Sequence, residues 1–171
     1  GNMIENIGFG ETITITADGD AAPTVALATS ARTIDEDAGS SLTLTATLSN
    51  ATNEDVTVGI STSGTGTEGT DYATISDITI SAGATTGTAS FTPTDDSIYE
   101  GNETGIVAIS TVSGGSATES GTQSVTITVT ENENAPTVTL STSANSIIEN
   151  AGSSLTLTAT LSVATTEDVT V

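Results

Sequence analysis

Leu42-Thr43-Leu44-Thr45-Ala46-Thr47-Leu48 sets an apolar side chain against a threonine at every step. Successive side chains of a strand point to opposite faces, so this stretch reads as a strand with one dry face and one wet face. The same period of two returns on both sides of it. Val56, Val58 and Ile60 follow, then Ile78 and Ile80, Ala89 and Phe91, Val107 and Ile109, and Val125, Ile127 and Val129; an opening strand carries Val25 and Leu27. Turns rich in Gly, Ser, Asn and Asp separate these runs, and no helical period interrupts them. About seven such strands predict an all-β fold, an immunoglobulin-like antiparallel β-sandwich. Threonine on the wet face suits a pleated surface through its β-branching and keeps it soluble without charge.

The strand pattern belongs to a repeat. Residues 22–58 and 135–171 match at 29 of 37 positions, without a gap, at an offset of 113. That period is too long for a solenoid unit and ordinary for a sandwich domain. One complete repeat is expected at 22–134. Thr12-Ile-Thr-Ile-Thr16 echoes Val125-Thr-Ile-Thr-Val129, so residues 1–20 read as the closing strand of a preceding repeat, and 135–171 as the opening strands of the following one. The neighbours implied are repeats of the same chain, with open edges covered either by further sequence or by copies of the chain in a fibre.

Composition narrows the chemistry. The formal net charge is −21, with Arg32 the one basic side chain and no His, Cys or Trp. Serine–histidine catalysis and the nitrogen or sulfur ligands of zinc and copper are therefore absent. Phosphate binding needs clustered Lys and Arg, so nucleic acid is not an expected partner, and no apolar run is long enough to insert into a membrane. High charge with few aromatics is also a mark of disorder. The strict alternation argues against that. Phe91, Tyr72, Tyr99 and Phe9 are the only aromatics, leaving Leu, Ile and Val to supply most of the core.

In an up-and-down sandwich successive connections alternate between the two ends. The first, third and fifth connections of the repeat then share one end with the tail of its last strand. Asp35, Glu36 and Asp37 fall in the first, Glu68 and Asp71 in the third, Asp95, Asp96 and Glu100 in the fifth, and Glu131 and Glu133 in the tail. Ten of the fifteen carboxylates of the repeat are thus expected at one end, with Glu54, Asp55 and Glu119 at the other and Asp77 and Glu103 elsewhere. Two like charges 4 Å apart repel by about 1 kcal/mol in water and about 4 at an intermediate dielectric. A solvated acidic rim is one outcome. The convergence of four segments points instead to a cation, and calcium takes six to eight oxygens in tolerant geometry.

The pattern Glu36-x-x-Gly39, Gly69-Thr-Asp-Tyr72, Asp95-Asp-x-x-x-Glu100-x-x-Glu103, and a closing Val-Thr-Ile-Thr-Val strand with an acidic tail resembles the Calx-β family. Its members occur in sodium–calcium exchangers, in an integrin subunit and in large secreted or surface-anchored bacterial proteins. The resemblance covers 22–134 and implies the same sandwich, with calcium at the acidic end and Glu36, Asp71, Asp95, Asp96 and Glu131 or Glu133 as ligands. Three features depart from the family. The tail reads Glu131-Asn-Glu-Asn134 where the exchanger domains carry a run of aspartates. Gly105 replaces a large apolar residue. In the following copy Ile148-Glu149-Asn150 stands where Asp35-Glu36-Asp37 stands here, so only the glutamate, Glu36 or Glu149, is common to both.

Asn50-Ala-Thr52 and Asn102-Glu-Thr104 fit a glycosylation acceptor by coincidence in a chain this rich in Asn and Thr. Glu100 and Glu103 lack the aromatic platform and cleft of a glycosidase, so no enzyme is expected. The reading is a calcium-stabilised spacer of an extracellular stalk, adhesin or surface fibre, on a bacterial cell. A calcium sensor or a partner- or carbohydrate-binding module of a cell-surface protein is the alternative; the last would need exposed aromatics.

Overall fold

The computed structural model describes residues 21–150 and 152–171; the expected closing strand of a preceding repeat, at 1–20, lies outside them. Two sheets face each other. One has four strands in the order β6 (Thr86–Phe91), β3 (Leu42–Leu48), β1 (Thr24–Thr29), β9 (Thr118–Glu119). The other has five, in the order β2 (Thr33–Asp35), β10 (Ser124–Thr130), β8 (Glu103–Ser113), β4 (Val56–Gly64), β5 (Ile78–Ile80). Among the described residues every element is a strand or a connection, as the alternation requires.

The expected opening strand is two strands in two sheets. β1 lies antiparallel on β3, pairing Val25 with Leu48, whereas β2 lies parallel to β10, pairing Ile34 with Val129. The change of partner falls at Ser30–Arg32. The Ser30 N–H still donates to the Thr43 carbonyl (2.9 Å), while the Arg32 carbonyl already accepts from the Thr128 N–H (2.8 Å). One segment thereby borders both sheets.

Val25, Leu44, Ala46, Val56, Val58, Ile78, Ile80, Phe91, Val107 and Ile127 are fully buried, and no polar residue is buried with them among the described residues. These are the apolar positions of the alternating runs. Burying one Val, Ile, Leu or Phe side chain contributes about 1.5–3 kcal/mol. Tyr72 and Phe91 close the core under the acidic end, their rings stacked with centroids 4.7 Å apart. Gly105 makes room for them: a Cβ there would sit 2.7 Å from Phe91 Cε2 and 3.5 Å from Tyr72 Cε1. The aromatic pair fills the space that a large side chain at 105 would otherwise take.

Beyond Asn134, β11 (Val138–Thr142) pairs with β12 (Leu157–Leu161) antiparallel, matching Val138 to Leu161 as β1 and β3 match Val25 to Leu48. Leu140 and Leu157 are 64% and 67% exposed; their counterparts Leu27 and Leu44 are buried in the complete sandwich. Two short strands complete the set: β7 (Ile98–Tyr99) and β13 (Ala164–Thr165) pair in parallel, Ala164 with Ile98 and Thr165 with Tyr99.

Candidate metal centre

Strand directions place the β2–β3, β4–β5 and β6–β8 connections at the end where β10 finishes. Two groups of carboxylates form there. Glu36, Glu131 and Glu133 each bring one carboxylate oxygen to within 4.8 Å of the others, and so do Asp71, Glu100 and Glu103.

The sheet itself positions most of these side chains. β2 and β10 pair Asp35 with Thr130, and the Glu36 N–H continues the ladder by donating to the Thr130 carbonyl (3.0 Å). The next residue on each strand, Glu36 and Glu131, then emerges from the sheet top side by side. β8 and β10 pair Glu103 with Val129, which puts Glu103 at the same rim. Asp71 comes from a loop, but a pinned one. Its carbonyl accepts the Thr94 N–H (3.0 Å), its carboxylate accepts the Thr67 N–H (2.5 Å), and its neighbour Tyr72 is anchored in the core.

Glu131 organises the end. Its Oε2 accepts the N–H groups of Glu100 (2.6 Å) and Gly101 (2.8 Å), and its Oε1 accepts that of Glu133 (3.0 Å). Burial raises its pKa, but these donated hydrogen bonds outweigh burial and lower it to about 2. Its neighbours move the other way. Burial, then the charge of Glu131, raises Glu36 to about 7. Burial, then Asp71 and Glu100, raises Glu103 to about 7. Burial, followed by Asp71 and Asp96, also pushes Glu100 up. The carboxyl of Glu133 lies against that of Glu131, which pushes its pKa up; the residue is only partly buried, but its Oε2 is shielded from solvent and receives no donor.

The remaining expected residues divide. Asp95 and Asp96 border the first group: the Asp96 N–H donates to Glu36 Oε1 (3.3 Å) and Asn132 Nδ2 to Asp95 Oδ1 (3.2 Å). Glu68 faces inward along its own loop, accepting the Thr62 hydroxyl (2.7 Å) and the Ile75 N–H (2.7 Å). Asp35 accepts the Thr130 hydroxyl, and Asp37 and Glu149 are exposed outside both groups. Glu103 is the addition. Its place on a strand assigned it away from the acidic end, although the spacing Glu100-x-x-Glu103 would have brought the two together across the start of β8. An all-oxygen set of carboxylates with an orphaned buried oxygen suits a hard divalent cation.

Comparison with known proteins bears on the family and the fold. The family profile described as Calx-beta domain matches residues 18–133. A crystal structure of the apo form of the Calx CBD1 domain superposes with TM-score 0.53 at 15% identity, covering 64% of this chain and 99% of that one. A crystal structure of CBD12 from CALX1.2 gives TM-score 0.51 at 16% identity, covering 61% of this chain and 43% of that one. Among curated proteins no sequence relative matches. At these identities the two structures speak for the fold alone.

Proposed function

This chain belongs to the Calx-beta domain family, and we propose that it is a calcium-stabilised spacer in an extracellular array of such domains. Residues 22–134 form one complete unit and 135–171 open the next, a division supported by the shared register of β1–β3 and β11–β12. Glu36, Glu131 and Glu133 would hold one ion, and Asp71, Glu100 and Glu103 a second, with Asp95 and Asp96 within reach of the first group's loop. The metal would supply positive charge and coordination. The chain supplies a preformed frame, because Glu131 already ties the β7–β8 segment to the tail that leads into the next unit.

The observation that carries this reading is the convergence of two three-carboxylate groups at one end, with Glu133 Oε2 shielded from solvent and given no donor, in a chain whose one basic side chain, Arg32, is exposed. A cation is the partner such an oxygen lacks. Extracellular calcium modules bind at about 10⁻⁴–10⁻³ M, which millimolar external calcium fills and a cytosol does not. Among the described residues no helix is long and apolar enough to cross a membrane. The wet sides of β3 and β10 are Thr and Ser faces without charge, which suits a spacer.

Calorimetric titration of the chain with calcium tests the assignment. Glu103→Gln is expected to weaken binding about tenfold or more, in keeping with losing a charged ligand. Glu68→Gln, whose carboxylate is engaged by Thr62 and Ile75, should leave binding unchanged. Equal effects of the two substitutions, or no heat of binding at millimolar calcium, would refute the site.

A further inference from the structure

The parallel pair of β7 with β13 joins two different units: β7 lies in the β6–β8 connection of the complete repeat, and β13 in the first turn beyond β12 of the following one. An offset of 113 places Ala51 and Thr52 where Ala164 and Thr165 stand. We propose that successive repeats are latched by this strand pair, Ala51–Thr52 of each repeat adding in parallel to Ile98–Tyr99 of the repeat before it. The groove at the foot of the complete repeat is then the seat of a preceding copy.

Four observations carry the latch. First, the foot has a fitting groove of about 630 Å³, lined among others by Ala22, Pro23, Ala51, Thr52, Gly115 and Ser116. Its counterpart in the following unit, around Ala135-Pro136 and Ala164-Thr165, is the region joined to β7. Second, Ala51 and Thr52 belong to no strand among the described residues, whereas Ala164 and Thr165 do. The same dipeptide is thus strand-paired in the copy that follows a described unit.

Third, both halves are held in place. The Thr52 carbonyl accepts the Gly83 N–H (2.7 Å), and Gly115, at φ +55°, packs so closely that a Cβ would lie 2.6 Å from Thr52 Cγ2. On the other side, the Ile98 N–H donates to Asp96 Oδ1 (2.7 Å) and the Glu100 N–H to Glu131 Oε2 (2.6 Å), so β7 is strung between carboxylates of the acidic end. Fourth, the groove itself is uncharged. The groove lining carries no ionisable side chain, and the acids next to it are turned into their own repeat: Asp55 Oδ1 accepts the Ala82 N–H (2.8 Å) and Glu54 Oε2 the Gly115 N–H (3.4 Å). With no charge in the groove lining and Glu54 and Asp55 turned aside, the repulsion an acidic top meets there is lessened. The partner is thus another copy of the repeat, recognised by main-chain pairing, a form of strand addition.

The latch rests on the array reading above and not on the metal. Its test lengthens the full chain by one in-register copy of residues 22–134, inserted between Asn134 and Ala135, with Tyr99→Cys in the first copy and Thr52→Cys in the second. The chain has no other cysteine. Strand-paired thiols meet the distance requirement of a disulfide, so oxidation is expected at least about ten times faster than in a control with Tyr99→Cys and Thr126→Cys. Equal rates would overturn the latch. Amide exchange of the cysteine-free chain gives an independent reading: peptides spanning residues 49–56 should become biphasic in the lengthened chain, one copy protected and one not. Single-phase exchange would also overturn it. Both measurements are made with calcium and with chelator. A cross-link in a chain whose melting ignores calcium supports the latch and removes the metal; calcium-dependent melting without a cross-link does the reverse.

Discussion

At the scale of single residues, the acidic end is built from opposed titrations. Glu36 and Glu103 hold their protons up to about pH 7 because burial and neighbouring carboxylates disfavour their charge. Between the ordinary glutamate value of 4.5 and 7 the folded chain therefore binds more protons than the unfolded one, and stability falls as pH rises through that window. Glu131, lowered to about 2, acts oppositely: its contribution is complete above 4.5 and is lost as pH falls toward 2. In chelator, the melting temperature is expected to be higher at pH 5 than at pH 7.5. In saturating calcium the order should shrink or invert, because protons compete for the same oxygens. Thermal melts at the two pH values, with and without calcium, check both. A chelated protein more stable at pH 7.5 would contradict the placement of Glu36 and Glu103. Sequence reading brought most of these carboxylates to one end from strand alternation alone. It misplaced Glu103, because a residue at a strand start belongs to the rim as much as a loop residue does, and one residue's shift in strand boundary decides the matter.

At the scale of elements, the long strands were legible and the short ones were not. β3 and β10 each repeat an apolar position several times, enough to fix a face. β2 has a single buried residue, Ile34, and β7 has two half-buried ones, so neither carries a period. Both matter more than their lengths suggest: β2 aims Glu36 at Glu131, and β7 meets the next unit. Gly105 shows the same limit. Its departure from the family pattern reads as a packing question in sequence, and the stacked Tyr72–Phe91 pair answers it in space. Gly105→Ala is expected to destabilise the chain by about 1–3 kcal/mol, the usual cost of overpacking a filled core. Denaturant unfolding measures it. A neutral effect would mean that the aromatic pair yields freely and does not fix the loops above it.

At the scale of the whole molecule, the two ends of the repeat have different chemistry. The chain enters the repeat at the end with few carboxylates and leaves it at the end with many, so in the proposed array each acidic top would meet the foot of the following copy. The acidic top lies beside the tail that leads into the following unit, and Glu131 binds that tail to the segment holding β7. Filling the carboxylate groups would then stiffen the junction as well as the domain. Calcium at ten times its dissociation constant adds about 1.4 kcal/mol per site, which for a unit of this size raises the melting temperature by roughly 4 °C or more. The measurement that reaches this account most directly is thermal unfolding of the 171-residue chain at neutral pH in millimolar calcium and in chelator. A melting temperature several degrees higher in calcium, and not in equimolar magnesium, is the result expected. Superimposable curves would contradict the account.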